Sequence, residues 1–269
     1  MRRGLVFVAG LTVLTATSAV VGACKAGTVE VVFSPEAGAT YRYRAEVDSL
    51  TITELPGRAP VEVRDRATLE VSQRVLEVGP EGVRVQVVLS GAGTGDRTFV
   101  MRFDRAAQLT EVESIEGIPT GALGELGLSE IFPAAAGAPP PGPLSPGDRW
   151  TIDDDVALPG MTIPGRLTGS GRLSELGVVD GQDTATINAD VTLGVTTTAL
   201  SRTGGRALDG PQRTTSEITY DLSDGAVRSA SASTEGEFRL VLTPPTEVAS
   251  PAITGTLRLE VRSSIQRVD

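Results

Sequence analysis

Apolar and polar residues alternate with period two along most of the chain after residue 38. The clearest runs of this alternation cover residues 41–47, 83–89, 99–103, 185–195 and 238–242. Alternation of this kind is typical of half-buried strands with one face on a core and the other in water. The sequence therefore predicts a mainly β fold of antiparallel curved sheets, arranged as a half-barrel or in a sandwich-like form.

Turn signals separate these runs. The Gly-Pro-Glu-Gly run at 79–82 and the Asp-Gly pair at 224–225 predict tight turns between strands. The glycine-rich stretch 90–95 lacks the lysine of a phosphate-binding loop, so it is interpreted as a hairpin loop. Near residue 50 the apolar phase slips by one, to Leu50 and Ile52, which predicts a β-bulge.

The pattern of the first half of the chain returns in the second half. This indicates two related β halves, 38–117 and 147–269, in which the same strand order is expected. Chance agreement between short β patterns is the alternative explanation. The matched segments are 38–43 with 147–152, 74–78 with 172–176, and 101–104 with 218–221.

The segment 118–146 between the halves breaks the β pattern. Its first part has apolar residues between Leu123 and Phe132, which predicts a short amphipathic helix that Gly121, Gly124 and Gly127 weaken. Its second part is rich in proline and glycine and is interpreted as an extended linker. A connection of this length serves as a linker or as a lid over a binding site.

The N-terminal region carries an export signal. Arg2 and Arg3 precede an apolar run that ends in Val-Gly-Ala-Cys, with Cys24 the only cysteine in the chain. This pattern resembles the bacterial lipobox, which implies removal of residues 1–23 and diacylglyceryl attachment to Cys24. Residues 24–37 would then form the anchor and tether, and the protein would be extracytoplasmic, bound to the cell membrane or outer membrane. A plain secretory signal or an uncleaved anchor helix is the alternative.

Composition limits the chemistry that this chain can perform. A net charge of −10 argues against nucleic acid as a partner. The chain has no histidine, and its only lysine is Lys25, so histidine-based and lysine-based catalysis and most zinc sites are excluded. The three consecutive carboxylates at 153–155 lack the spacing of a calcium loop and are interpreted as a solvated edge. We expect no catalytic residues, no cofactor and no metal.

After the proline-containing linker, residues 146–150 read Pro-Gly-Asp-Arg-Trp. This motif resembles an uncharacterised domain family of secreted bacterial lipoproteins, over residues 38–265. More distantly, a lipid-anchored chain of long antiparallel strands is similar to the LolA, LppX and LprG half-barrels, which shelter acyl chains. Neither resemblance implies catalytic residues.

Together these features predict a non-catalytic, membrane-anchored protein that binds an apolar ligand or lipid against a curved sheet. The rival hypothesis is a structural or partner-binding envelope protein with a dry core, and a carboxylate enzyme is a distant third. The sequence names no protein partner. The candidate ligand-binding residues are Phe99, Met101, Phe103, Leu128, Phe132 and Trp150.

Overall fold

The computed structural model describes residues 27–80, 82–91, 94–105, 107, 109–116, 139–156, 165–201, 204–245, 247 and 250–268. These residues form eleven strands and no helix. The predicted short helix within 118–146 lies outside the described residues. The strands are β1 (Thr40–Glu54), β2 (Val61–Gly79), β3 (Gly82–Gly91), β4 (Thr94–Phe103), β5 (Leu109–Glu116), β6 (Arg149–Val156), β7 (Gly165–Val179), β8 (Gln182–Ser201), β9 (Gly204–Asp221), β10 (Val227–Thr243) and β11 (Ile253–Arg267).

All eleven strands belong to one open antiparallel sheet, so the mainly β prediction is confirmed. Their order is β5-β4-β3-β2-β1-β11-β10-β9-β8-β7-β6, which leaves β5 and β6 at the outer edges. The two halves of the chain join in the middle of the sheet, where β1 pairs with β11 from Tyr43–Arg267 to Glu54–Thr256. The described strands therefore form one continuous sheet and not two sheets packed face to face.

One face of this sheet, which we call the inner face, carries the core. In β1 it holds Tyr41, Tyr43, Ala45 and Val47, all buried, and residues paired with these across β2 and β11 share the same face. The opposite, outer face carries most of the charged side chains. The buried inner-face residues form three apolar clusters, one on β1–β4 and β11 and two on β6–β10.

The sheet curls strongly at the end where β1 begins, which we call the lower end. The backbone N–H of Phe33 donates to the carbonyl of Arg105 at 2.6 Å, and that of Ser34 donates to the carbonyl of Asp224 at 2.8 Å. These carbonyls lie in the β4–β5 and β9–β10 turns, six strand spacings apart, or about 29 Å in a flat sheet. Because neighbouring residues reach both turns, the inner face must wrap around the segment that contains Phe33.

The bulge predicted near Leu50 and Ile52 is wrong. Strand β1 pairs with β2 and with β11 without any shift of register. Leu50 and Ile52 instead lie on the outer face, opposite Arg64 and Glu62 of β2. Long charged side chains can cover apolar neighbours with their methylene stems, so an outward position does not require a bulge.

Several local features occur in both halves. Strand β2 shifts register between Val75 and Glu77, and β7 shifts between Leu173 and Glu175. Just before β1, Gly38 has φ 87° and its N–H donates to Val75. Just before β6, Gly147 has φ 98° and its N–H donates to Leu173. Only glycine adopts this backbone conformation without strain, so both halves use the same turn to enter their first strand.

Candidate functional site

The structure brings three of the predicted ligand-binding residues together on β4. Phe99, Met101 and Phe103 point to the inner face and are 1%, 0% and 4% exposed. The ring of Phe33 packs edge-on against Phe103, with 6.3 Å between the ring centroids. The β4 side chains are therefore covered by protein in the described part of the chain, in the cluster that also contains β1–β3 residues.

Trp150, the only tryptophan, lies on β6 and contacts the other two clusters. Its indole ring lies over Gly171 of β7, where a Cβ atom would come within 2.3 Å of the ring. Glycine at 171 thus makes room for the indole on the inner face. The structure does not place Trp150 in the cluster with Phe99.

The remaining predicted site residues, Leu128, Phe132 and Cys24, lie outside the described residues.

At the opposite, upper end of the sheet, inner-face residues at the start of β2 and of β11 are exposed, whereas Leu208 of β9 and Leu240 of β10 are buried. Val61 and Val63 at the start of β2 are 59% and 49% exposed, and Ile253 at the start of β11 is 41% exposed. Val63 and the half-buried Leu259 flank Thr51 of β1 from its two sides. Together with the half-buried Leu257 and Leu259, these residues form a partly exposed apolar surface on β2 and β11. We call it the upper apolar surface: Val61, Val63, Ile253, Leu257 and Leu259.

This surface exists because the strands differ in length. Strand β3 ends at Gly91, opposite Leu69, so the first eight residues of β2 extend beyond it. The sequence reasoning missed Val61 and Val63 as candidate site residues. Their alternation with Glu62 and Arg64 was visible, but only the strand pairing shows that β1 is their neighbour on one side and that β3 does not reach them on the other.

A buried ionic cluster closes the lower end. Asp221 at the end of β9 accepts hydrogen bonds from the backbone N–H and the hydroxyl of Ser223, at 3.0 and 2.6 Å. Arg228 and Arg267 place guanidinium nitrogens 3.4 and 3.8 Å from its Oδ2. Burial acts to raise the pKa of Asp221, but the Ser223 hydrogen bonds and the two arginines outweigh it and lower the pKa.

A tyrosine links this cluster to the first half of the sheet. The hydroxyl of Tyr41 in β1 donates to Asp224 at 2.8 Å, and the guanidinium of Arg267 lies over the Tyr41 ring, 4.9 Å from its centroid. Burial, followed by the hydrogen bond to Asp224, raises the pKa of Tyr41. These contacts tie β1 and β11 to the β9–β10 turn.

The carboxylates at 153–155 show no metal-binding geometry. Asp153 forms a two-point ion pair with Arg166, with both N–O distances at 2.8 Å. That hydrogen bonding lowers the pKa of Asp153. Across the described ranges, no three acidic, cysteine or histidine side chains come together in a group that could hold a metal ion.

Among the described residues, no helix has the length and hydropathy needed to cross a bilayer. Comparison with protein-family models finds no match to this chain. Comparison with curated proteins also finds no match.

Proposed function

We propose that this protein is an extracytoplasmic, lipid-anchored and non-catalytic protein that binds an apolar ligand or lipid. The anchor would be a diacylglyceryl group on Cys24, and the cell membrane or outer membrane would hold it. The ligand would contact the upper apolar surface, in which Val61 and Val63 on β2 are the most exposed pair. This assignment moves the binding region from Phe99, Met101 and Phe103, which protein already covers, to the exposed inner-face residues at the upper end of β2 and β11.

The exposure of this surface is the observation that carries the proposal. Isolated exposed apolar residues are common, but here five apolar residues of β2 and β11 lie on the face of the sheet that carries the core. Covering such residues stabilises a complex by roughly 25 cal/mol per Å² of apolar area removed from water. The polar inner-face positions beside this surface are Thr51 and Thr53 of β1 and Asp65 of β2.

The binding proposal predicts that mature protein takes up an apolar fluorophore such as N-phenylnaphthylamine at one saturable site. A Val61→Asp/Val63→Asp variant should bind about tenfold more weakly, because two carboxylates would have to lose water on contact with the probe. The measurement is fluorescence titration. Both residues are exposed, so the fold should tolerate the change.

Val178→Asp is the matched control, since Val178 is equally apolar and 64% exposed but lies at the lower end of β7. It should leave binding unchanged. Native mass spectrometry of the purified mature protein should also detect a co-purifying lipid. A folded protein that takes up no probe, or equal loss of binding in the control, would refute the proposal.

The anchor has its own test. Cys24→Ser removes the thiol to which a diacylglyceryl group would be attached, so incorporation of labelled fatty acid should disappear. The variant should move from the membrane fraction to a soluble or unprocessed form, because a protein without acyl chains has no stable attachment. Ser34→Ala is a control substitution that leaves the thiol in place. Labelling that persists without Cys24 would contradict the assignment.

We also propose that the two halves arose by duplication of one β unit. In each half consecutive strands are neighbours, and β1 and β6 enter the sheet in the same direction and on the same side of their half. The cross-strand pairs of the two halves correspond as well. Val85 of β3 pairs with Met101 of β4 in the first half, and Ile187 of β8 pairs with Ile218 of β9 in the second. The shared register shifts and entry glycines support this proposal.

A structural or partner-binding role is the second candidate. The observation that favours it is the dry packing of β4, where Met101 is 0% exposed against β1–β3 residues. In that case the upper apolar surface would contact protein, and the fluorophore titration would show no saturable site.

A further inference from the structure

The outer face of the second half contains a groove of about 710 Å³. The side chains that line it from β7 to β11 alternate with the buried inner-face residues, which places the groove on the outer face. The residues between these lining side chains are on the groove floor, and the side chains of all but the glycine point to the inner face: Gly171, Ala189, Ser216, Ala232 and Ser263. The groove spans four strand spacings, or about 19 Å, and is separate from the upper apolar surface.

Arginines lie at both ends of this groove. Arg149 of β6 and Arg172 of β7 are directly opposite each other in the sheet, and Arg262 lies on β11. None of these three forms an ion pair with a carboxylate of the described residues. By contrast Arg166, on the same strand as Arg172, is paired with Asp153.

The two carboxylates in the groove do not neutralise these arginines. Asp190 is held by Arg213, whose hydrogen bonds lower the pKa of the Asp190 carboxyl. Glu217 accepts a hydrogen bond from the Asn188 side chain at 3.4 Å. Three arginines therefore face one carboxylate that has no arginine partner, on a chain whose overall charge is −10.

The direct pairing of Arg149 with Arg172 across β6 and β7 destabilises the protein when no ligand is bound. Like charges directly across an antiparallel pair repel, whereas an oxyanion between two guanidinium groups removes the repulsion and accepts several hydrogen bonds. Planar guanidinium groups bind carboxylate and phosphate oxygens in a two-point manner. The hydroxyls along the groove supply donors and acceptors for a polar chain: Ser170, Thr215, Ser231 and Ser233.

We propose that this groove binds a hydroxyl-rich chain that carries oxyanions, such as a segment of an acidic oligosaccharide or a polyol phosphate. The oxyanions lie at the arginines on the two ends, and the hydroxyls of the chain contact the serine and threonine side chains between them. The length of the groove fits an extended ligand better than a single small anion.

Calorimetric titration of the mature protein tests this proposal with three probes: trigalacturonate, a glycerol phosphate trimer and the neutral maltotriose. We expect saturable binding of at least one anionic probe, weakened by added salt as charge screening requires. Maltotriose should bind at least tenfold more weakly. The tighter of the two anionic probes identifies the oxyanion, whereas absence of binding by both, or equal binding of maltotriose, overturns the proposal.

Variants locate the site. Arg172→Ala and Arg262→Ala should each weaken binding about tenfold. Arg74→Ala is the matched control, because Arg74 is also exposed and lies at the corresponding position of β2, opposite Thr40 and Gln86 rather than another arginine. It should have no effect. Equal weakening by Arg74→Ala, or unchanged binding by both groove variants, would overturn the assignment.

Two further measurements separate this site from a structural role and from the proposed function. Arg172→Ala should not lower the melting temperature, because it removes a like-charged neighbour of Arg149, and a clear decrease would contradict the repulsion argument. The same variant should bind the apolar fluorophore as wild type does. Failure of the fluorophore experiment alone leaves the groove intact, and failure of the oxyanion titration alone leaves the upper apolar surface intact.

Discussion

Replacement of Asp221 by asparagine is expected to lower the free energy of unfolding by about 3 kcal/mol, because it leaves two partly buried cations without their shared carboxylate. The side chain of Asp221 is 6% exposed, and those of Arg228 and Arg267 are 12% and 22% exposed. Water can therefore compensate little for the lost charge. Urea unfolding followed by the fluorescence of Trp150, the only tryptophan, measures the change.

The control for this prediction is Asp180→Asn. Asp180 forms an ion pair with the same Arg228 at 2.8 Å, but its side chain is 77% exposed. Exposed pairs contribute at most about 1 kcal/mol, so the control should lie close to wild type. Equal destabilisation by the two variants would show that burial of the Asp221 cluster does not determine its contribution.

The same cluster predicts a dependence of stability on pH. The pKa of Asp221 is lower in the folded protein than its usual value, so the charged group stabilises the fold above the pKa of the unfolded state, about 3.9. This stabilisation is lost as the pH falls through the lower, folded value. When the pH falls from about 5 to about 2, wild type should therefore lose more stability than the Asp221→Asn variant does. The difference between the two curves isolates Asp221 from other carboxylates with lowered pKa values, such as Asp153 and Asp190.

Local elements of this fold could be predicted from the sequence because their signals are local. The alternation of 83–89 and 99–103 corresponds to β3 and β4, and the turn signal at 79–82 lies where Gly79 pairs with Gly82. The match of 74–78 with 172–176 coincides with register shifts at Val75 and Leu173. Side-chain period and turn chemistry are sufficient for such features.

The arrangement of the halves could not be predicted in this way. Pairing of Tyr43 with Arg267 joins the two ends of the chain, and alternation within a strand does not specify its partner. Equally, Asp221 appears in the sequence only as part of a turn-rich stretch, and its burial depends on Arg267 from the last strand. The groove was missed because its arginines come from three strands, β6, β7 and β11.

The sequence did not distinguish the apolar residues that the structure buries from those that it leaves exposed, and the reason is physical. Alternation shows that a residue has an apolar face, but burial also requires a neighbour to cover it. Phe99 and Val63 both belong to alternating runs, yet Phe99 is 1% exposed and Val63 is 49% exposed. Curling of the sheet at the lower end covers the first residue, and the shorter β3 leaves the second uncovered.

The segment before β1 should be as important for stability as a strand of the sheet. We expect Phe33→Ala to lower the free energy of unfolding by about 3–5 kcal/mol, the range for removal of a buried phenyl ring. Phe33 is 7% exposed, packs on Phe103, and lies in the segment that hydrogen bonds to both lower turns. Loss of the ring would leave a cavity in the segment around which the two halves of the sheet curl.

Urea unfolding of the mature protein measures this effect, with Val178→Ala as the control for loss of an exposed apolar side chain, expected within about 0.5 kcal/mol of wild type. Because the cluster around Phe33 contains residues of β1–β4 as well as Ala226 and Ile265, both halves should unfold in one transition in wild type. In Phe33→Ala that transition should move to lower urea while remaining single. A stability equal to that of the control would mean that 27–37 is a tether lying against a sheet that curls without it.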